Sequence, residues 1–359
     1  MTGPCAQVRS KSVTLLPGIT FCVGLSAISF VAWLSYKPII SLMWAFILSI
    51  IISNVVKLPD RFASGISFCA RDLLRGAIAA LGIVTSGLIW MQVGIGVINA
   101  LVVIFFSYFF SIWLGRKLRI SNALATLIGI GTCICGASAI AATGPAIGAK
   151  EEEMGLALAC ITLFGLFAMF AYPFLYVSTL VGKWLGSNLN AYSIWCGSGI
   201  HETAQVIAAA GALGAKAIGA ALLVKSIRIF MIGPMVLVAT YLFSRMEKNS
   251  VDRKVTKIVL PTYGIVFIIN SLLCAFFDTY APPLGSPELN WPVIKSTLSS
   301  TVLPFLLATA FAGVGSKVNF KAISKLGAKP FVVGALTAIL AGILALALAI
   351  AVLPLVPPS

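Results

Sequence analysis

The stretch from Gly129 to Gly148 reads G-I-G-T-C-I-C-G-A-S-A-I-A-A-T-G-P-A-I-G. It is apolar enough for a bilayer, yet glycines at 129, 131, 136, 144 and 148, together with Pro145, interrupt it. A glycine costs a helix interior about 1 kcal/mol against alanine, and a proline about 3 kcal/mol. A chain that accepts this cost at membrane depth needs non-helical backbone there. Such backbone is tolerated only where protein buries it or where it lines a polar cavity. Gly197 to Gly211 is a second run of the same character. The two are read as the halves of one site, built on two discontinuous helices.

The setting of these runs decides the class. The chain has 359 residues, of which 60% are hydrophobic and 10% charged, where a soluble domain carries about 25% charged residues. It is an all-α polytopic membrane protein with no room for a large soluble domain. A spanning helix needs about 20 apolar residues. Runs near 16–34, 39–56, 72–91, 96–115, 121–147, 155–182, 190–211, 216–244, 256–277, 293–316 and 330–353 satisfy this and predict about eleven crossings. The first follows Arg9 and Lys11 as a signal peptide would, but it is too long for one and is read as a retained span.

Net charge is +15, and the basic residues sit in short links between apolar runs rather than interleaved with stacking aromatics. This argues for membrane anchoring and against nucleic acid. Arg9, Lys11, Lys57, Arg61, Arg71, Arg75, Arg116, Lys117, Arg119, Arg245, Lys248, Arg253, Lys254, Lys257, Lys317, Lys321, Lys325 and Lys329 all fall on one side of an eleven-span chain. Lys37, Glu151 to Glu153, Asp278 and Glu288 fall on the other. The excess of lysine and arginine marks the cytoplasmic side, so the N-terminus is expected inside and the C-terminus outside. Glu151 to Glu153 read as a solvated loop face.

Internal similarity points two ways. Leu81 to Ser86 and Ala312 to Ser316 lie seven crossings apart and would be inverted copies. Ile147-Gly-Ala-Lys150 and Leu213-Gly-Ala-Lys216 lie two crossings apart and would be parallel; each precedes a long span with a proline, Pro173 or Pro234. Both relations do not fit one simple duplication unless one broken run re-enters the membrane.

Polar residues deep in the apolar runs are few: His201, Glu202, Thr203 and Gln205, then Lys225 and Arg228. Lys225 and Arg228 share a helix face. A central cation costs at least about 2.5–3.5 kcal/mol on insertion scales, and such residues mark functional sites. One carboxylate against two cations leaves positive charge over, which favours an anionic ligand; the plainer alternative pairs Glu202 with Arg228. Helix starts are expected at Gly136-Ala137-Ser138 and at Ser198-Gly199-Ile200, where free N–H groups and a partial positive charge attract anions. Cys135 borders the first. His201, the only histidine, is a candidate proton carrier or a packing residue.

Other chemistry fails on inspection. His201-Glu202-Thr203-Ala204-Gln205 lacks the second histidine of a zinc protease. Gly129-x-Gly131 lacks the dinucleotide spacing, and no phosphate-loop G-K-[ST] is present. The eight cysteines, most of them inside apolar runs, behave as small hydrophobes. No metal or cofactor is expected.

Several blocks together resemble a family of bacterial inner-membrane proteins labelled sulfate exporters: R-D-L-L-R-G (Arg71 to Gly76), I-C-G-A-S-A-I (Ile134 to Ile140), A-Y-P-F-L-Y (Ala171 to Tyr176), G-I-H-E-T-A-Q-V (Gly199 to Val206) and K-S-I-R (Lys225 to Arg228). The resemblance implies a transporter fold akin to bile-acid transporters and cation–proton antiporters. That fold has an inverted repeat, a panel domain (about 39–91 and 256–316) and a core domain (about 96–245) within one transmembrane domain. It also implies the bacterial inner membrane.

The expectation is a secondary active transporter of a small anion, coupled to H+ or Na+, and not an enzyme. Cys135, Gly136, Ala137, Ser138, Ser198, Gly199, Lys225 and Arg228 would bind the anion. His201, Glu202, Thr203 and Gln205 would couple the ion. One alternative is a cation–proton antiporter using Glu202; another is an intramembrane enzyme using His201 and Glu202, with Cys135, Ser138 or Ser198 as nucleophile. The lipid bilayer is the expected surrounding, with a homodimer among the assemblies considered.

Overall fold

A computed structural model describes residues 4–35, 41–247, 262–280, 291–324 and 326–357. Lys37, Lys248, Arg253, Lys254, Lys257, Glu288 and Lys325, used above in the charge argument, lie outside the described residues, as does the start of the run at 256. Every regular element among the described residues is helical. The principal helices are α1 (Pro4–Ser35), α2 (Ser41–Val55), α3 (Leu74–Val84), α4 (Gly96–Lys117), α5 (Asn122–Cys133), α6 (Ala137–Ala146) and α7 (Glu151–Ser178). There follow α8 (Leu189–Gly199), α9 (Thr203–Gly211), α10 (Ala215–Phe230), α11 (Ile232–Met246), α12 (Thr262–Tyr280), α13 (Leu303–Ser316) and α14 (Ala328–Ala351).

Among the described residues six helical stretches are long and apolar enough to cross a bilayer: Leu15–Ser35, α4, α7, α12, Trp291–Ser316 and α14. Helices α10 and α11 make a seventh if counted as one span bent by 41°. The chain is a multi-pass membrane protein, but the eleven runs do not become eleven continuous spans. Run 121–147 divides into α5 and α6, and run 190–211 into α8 and α9. Within run 39–56 the described residues form the 15-residue α2. Run 216–244 bends because Pro234 has no N–H to donate and its ring crowds the carbonyl of Phe230, four residues back. Glu151 to Glu153 are not a loop: they form the first turn of α7, where carboxylates suit the positive helix end, and Glu153 Oε2 accepts from the Lys150 N–H at 2.9 Å.

The residues separate into two compact units, 1–87 with 263–320 and 88–262 with 321–359. In the first, α1 crosses the short helix Ala63–Phe68 at Gly18 and Gly65, where a β-carbon on Gly18 would lie 2.6 Å from the Gly65 Cα; small residues permit this close approach. Asn54 ties α2 to the end of α13, donating to the Val318 carbonyl at 2.7 Å and accepting from the Phe320 N–H at 2.9 Å. The R-D-L-L-R-G block lies in this unit, with Arg71 and Asp72 paired at 3.1 Å on its exposed surface.

The second unit carries both glycine-rich runs. Leu127 and Ile128 of α5, Ile140 of α6 and Ala157, Cys160 and Ile161 of α7 pack with Val333 of α14 into one apolar core. This core packs the two half-helices of the first run, α5 and α6, against α7 and α14.

Candidate functional site

The first break follows from local chemistry. Ser121 caps α5 by accepting from the Leu124 N–H at 3.1 Å, as a serine N-cap does. The helix ends at Cys133, and Gly136 takes φ +67°, ψ −116°, a conformation that an L side chain rarely adopts. Helix α6 begins at Ala137, within the Gly136-Ala137-Ser138 segment expected.

The second break differs from expectation. Ser198-Gly199-Ile200 is the end of α8, not the start of a helix. Ile200 and Glu202 are extended, and α9 starts at Thr203. The reason is a capping box, Glu202-x-x-Gln205. The Glu202 side chain accepts from the Gln205 N–H, and Gln205 Oε1 accepts from the Glu202 N–H at 3.1 Å. Gln205, which also donates to the Thr162 carbonyl at 3.4 Å, thus serves as a buried brace.

Two breaks leave two sets of orphan carbonyls at the ends of α5 and α8. Lys225 and Arg228, one turn apart on α10 and both 0% exposed, serve both sets. The Lys225 ammonium donates to Ile134 O at 2.9 Å, Ile200 O at 2.8 Å and His201 O. Three acceptors match the three N–H bonds of a charged lysine. Arg228 Nε donates to Cys133 O at 2.8 Å and its Nη2 to Thr132 O; its Nη1 donates to Ser198 O and, at 3.0 Å, to Ile200 O. A guanidinium's planar fork suits this bridging of two chain segments. The cations therefore sit at the negative ends of both half-helices, where charge is favourable. Among the described residues no ion pair joins either of them to Glu202, so the plain Glu202–Arg228 pairing does not occur.

The positive ends converge elsewhere, on Glu202. Its side chain lies against Gly136, the residue before the start of α6, while capping α9. One carboxylate thus addresses two helix N-termini. Glu202 and Thr203 are half-buried, and Ala137 and Ser138 are exposed, so this end of the site is accessible. Cys135 is buried.

Not all expected ligands gather there. Gly199 is buried against Tyr172: a β-carbon at 199 would come within 2.5 Å of the tyrosine hydroxyl oxygen. The Tyr172 ring stacks on Trp195 with centroids 4.1 Å apart and planes 13° apart. Tyr172 belongs to the A-Y-P-F-L-Y block, yet nothing in its spacing placed it beside α8. Ser198 and His201 are wholly buried, and neither the Ser198 hydroxyl nor either His201 ring nitrogen has a hydrogen-bond partner. A buried polar atom left so costs about 1–3 kcal/mol.

A family profile described as Conserved hypothetical protein 698 matches residues 17–334. The chain is similar to curated UPF0324 membrane proteins: one from Yersinia pestis, 29% identical over 93% of this chain and 91% of the relative; one from Bacteroides thetaiotaomicron, 30% identical over 90% and 92%; and one from Agrobacterium fabrum, 30% identical over 93% and 92%. No solved structure matches.

Proposed function

The chain belongs to the family Conserved hypothetical protein 698, whose curated relatives are named membrane proteins, and from that premise we propose that it is a secondary active transporter of a small anion of the sulfate, sulfite or sulfonate class. The observation that carries this reading is the meeting of two half-helix N-termini, at Ala137 and Thr203, on an accessible face of the second unit.

Charge favours an anion there. Each helix N-terminus contributes about +0.5 and each C-terminus about −0.5, so the two breaks cancel between them. Two cations against one carboxylate then leave about one positive charge. The ligand would meet Ser138, Thr203 and the free N–H groups of the first turns of α6 and α9. Lys225 and Arg228 would supply field and hold the breaks open rather than touch the anion in this conformation. Glu202, an anion already lodged at both N-termini, must yield for a second anion to bind. Protonation of Glu202 would release it, which couples the anion to H+.

The wider picture follows the sequence resemblance to sulfate exporters: alternating access between a panel and a core domain related to an inverted repeat, in a bacterial inner membrane, with the N-terminus cytoplasmic and the C-terminus outside. The protein would perform no enzymatic turnover.

A second reading, cation–proton antiport through Glu202, draws support from the same site, because its accessible ionisable group is a carboxylate and its cations are fully engaged. Proteoliposomes separate the two. The anion reading expects counterflow of labelled sulfate, sulfite or a small sulfonate, and thermal stabilisation of the purified protein by the same ion. Stabilisation by sodium with no response to any oxyanion would replace it with the antiporter.

A further inference from the structure

Hydroxyl groups in these helices ordinarily find a carbonyl. Ser111 donates to Ala125 O at 2.8 Å, Ser226 to Leu222 O at 2.8 Å, and Thr337 to Val333 O at 2.6 Å. In the second unit the hydroxyls of Ser107, Tyr108, Thr126, Thr132, Thr143 and Ser198 depart from this pattern, and four of them are related by helix register and by Arg228.

Helices α4 and α5 form an antiparallel hairpin whose register is visible at two glycines. A β-carbon on Gly115 would meet the Ala125 Cβ at 2.5 Å, and one on Gly129 would meet Ser111 Cβ at 3.0 Å and Tyr108 O at 3.2 Å. Each turn back along α4 therefore matches a turn forward along α5. The next turn brings Ser107 and Tyr108 level with Thr132. All three hydroxyls are fully buried and unpartnered. Thr132 is also the residue whose carbonyl accepts from Arg228 Nη2. Across the guanidinium, Ser198 does the same from α8: its carbonyl accepts from Nη1, and its own hydroxyl is unpartnered. Both ring nitrogens of His201 follow, three residues on.

Buried polar atoms in native proteins are nearly always paired, with ordered water when protein offers no partner. A buried water needs two to four such partners and a polar site. Six unpaired atoms on Ser107, Tyr108, Thr132, Ser198 and His201, on segments whose carbonyls at Thr132 and Ser198 share one guanidinium, meet that requirement. We propose that these residues hold a file of buried waters that passes Arg228 and joins the α4–α5 seam to the His201 ring. Water molecules are the ligand of this site. Its use as a proton path, with waters and hydroxyls relaying a proton past Arg228 to His201, rests on the transporter reading above; its occupancy by water does not.

The protein supplies its own control. Tyr192 is as buried as Tyr108, but its hydroxyl donates to Ala209 O at 2.8 Å. Brief X-ray radiolysis generates hydroxyl radicals from water where it stands, and mass spectrometry of the full chain then reads the modification of each tyrosine. Tyr108 is expected to be modified several-fold faster than Tyr192. Thr132→Val and Ser198→Ala, which delete one hydroxyl each, should slow Tyr108 several-fold and leave Tyr192 unchanged. Equal, slow modification of the two tyrosines in the unaltered protein overturns the proposal without recourse to any variant. Modification of Tyr108 that neither substitution slows overturns the assignment of these side chains. In proteoliposomes the same substitutions should slow substrate-driven acidification several-fold at unchanged anion affinity. Unchanged acidification overturns the proton path alone. An unaltered protein that moves no protons overturns the path and the proton coupling, while the labelling contrast stands by itself.

Discussion

The Glu202 side chain is packed onto Gly136 across the two breaks: a β-carbon at 136 would lie 2.6 Å from Glu202 Cγ and 3.0 Å from Glu202 Oε1. The glycine thus does two things. It takes a backbone conformation closed to other residues, and it clears the ground on which the carboxylate reaches the start of α6.

Gly136→Ala should therefore be severe. The backbone alone costs about 1–3 kcal/mol in so sparsely populated a region, and the new methyl drives Glu202 away from the start of α6. The expected result is a clear fall in thermal unfolding temperature, read by tryptophan fluorescence in detergent, together with loss of anion binding. A variant of unchanged melting temperature would mean that the break is not built as described.

Arg228→Met should weaken the second unit by about 3 kcal/mol, because the buried carbonyls of Thr132, Cys133 and Ser198 each lose their charged donor at about 1–3 kcal/mol apiece. Lys225→Met should cost less at Ile200, whose carbonyl keeps Arg228. Arg228→Lys restores charge but not the fork, and should fall between the native protein and Arg228→Met. Denaturant midpoints rank the three. Equal stability of Arg228→Lys and the native protein would assign the residue a purely electrostatic role.

This pair also shows how far a sequence carries. The composition of Gly129 to Gly148 is enough to announce a broken helix, and Lys225 and Arg228 announce themselves as charges at membrane depth. What composition lacks is direction. A glycine-rich break has a negative end and a positive end a few residues apart, and only the fold decides which of them a distant side chain addresses. Lys225 and Arg228 went to carbonyls, and the anion-attracting ends were left to Glu202. The start of α9 at Thr203 was legible in Glu202-x-x-Gln205, a capping box hidden by its likeness to a metal motif. Tyr172 carried no such signal: its place beside Gly199 arises from helix packing, which no local pattern records.

Glu202→Gln should alter ligand response more than fold. Losing the carboxylate's charge at two helix ends costs about 0.3–1 kcal/mol at each, a modest shift in melting temperature. For an anion, the carboxylate is a competitor that protonation removes. Sulfate binding to the native protein should then strengthen as pH falls, and Glu202→Gln should bind about as well at high pH as at low. Titration calorimetry across a pH series checks both. A native profile that weakens on acidification would contradict the sign of the coupling, and a Glu202→Gln profile that still follows pH would place the coupling group elsewhere.

Gly199 and Tyr172 offer a test that needs no ligand. A methyl at 199 would meet the Tyr172 hydroxyl oxygen at 2.5 Å and its ring carbons Cε2 and Cζ at 3.2 Å. The oxygen is the atom that does not fit, and the ring carbons need to give by only a few tenths of an ångström. The ring is also clamped by its stack on Trp195, which in turn donates to Gly342 O at 3.0 Å, so it has little freedom to swing aside. Gly199→Ala alone should lower stability by about 1–3 kcal/mol, the usual cost of overpacking. Tyr172→Phe removes the offending oxygen, so the double variant should be more stable than the two single losses added together. Residues in contact show such coupling at about 0.5–3 kcal/mol in double-mutant cycles. Strictly additive losses would mean that α7 and α8 do not meet at this pair.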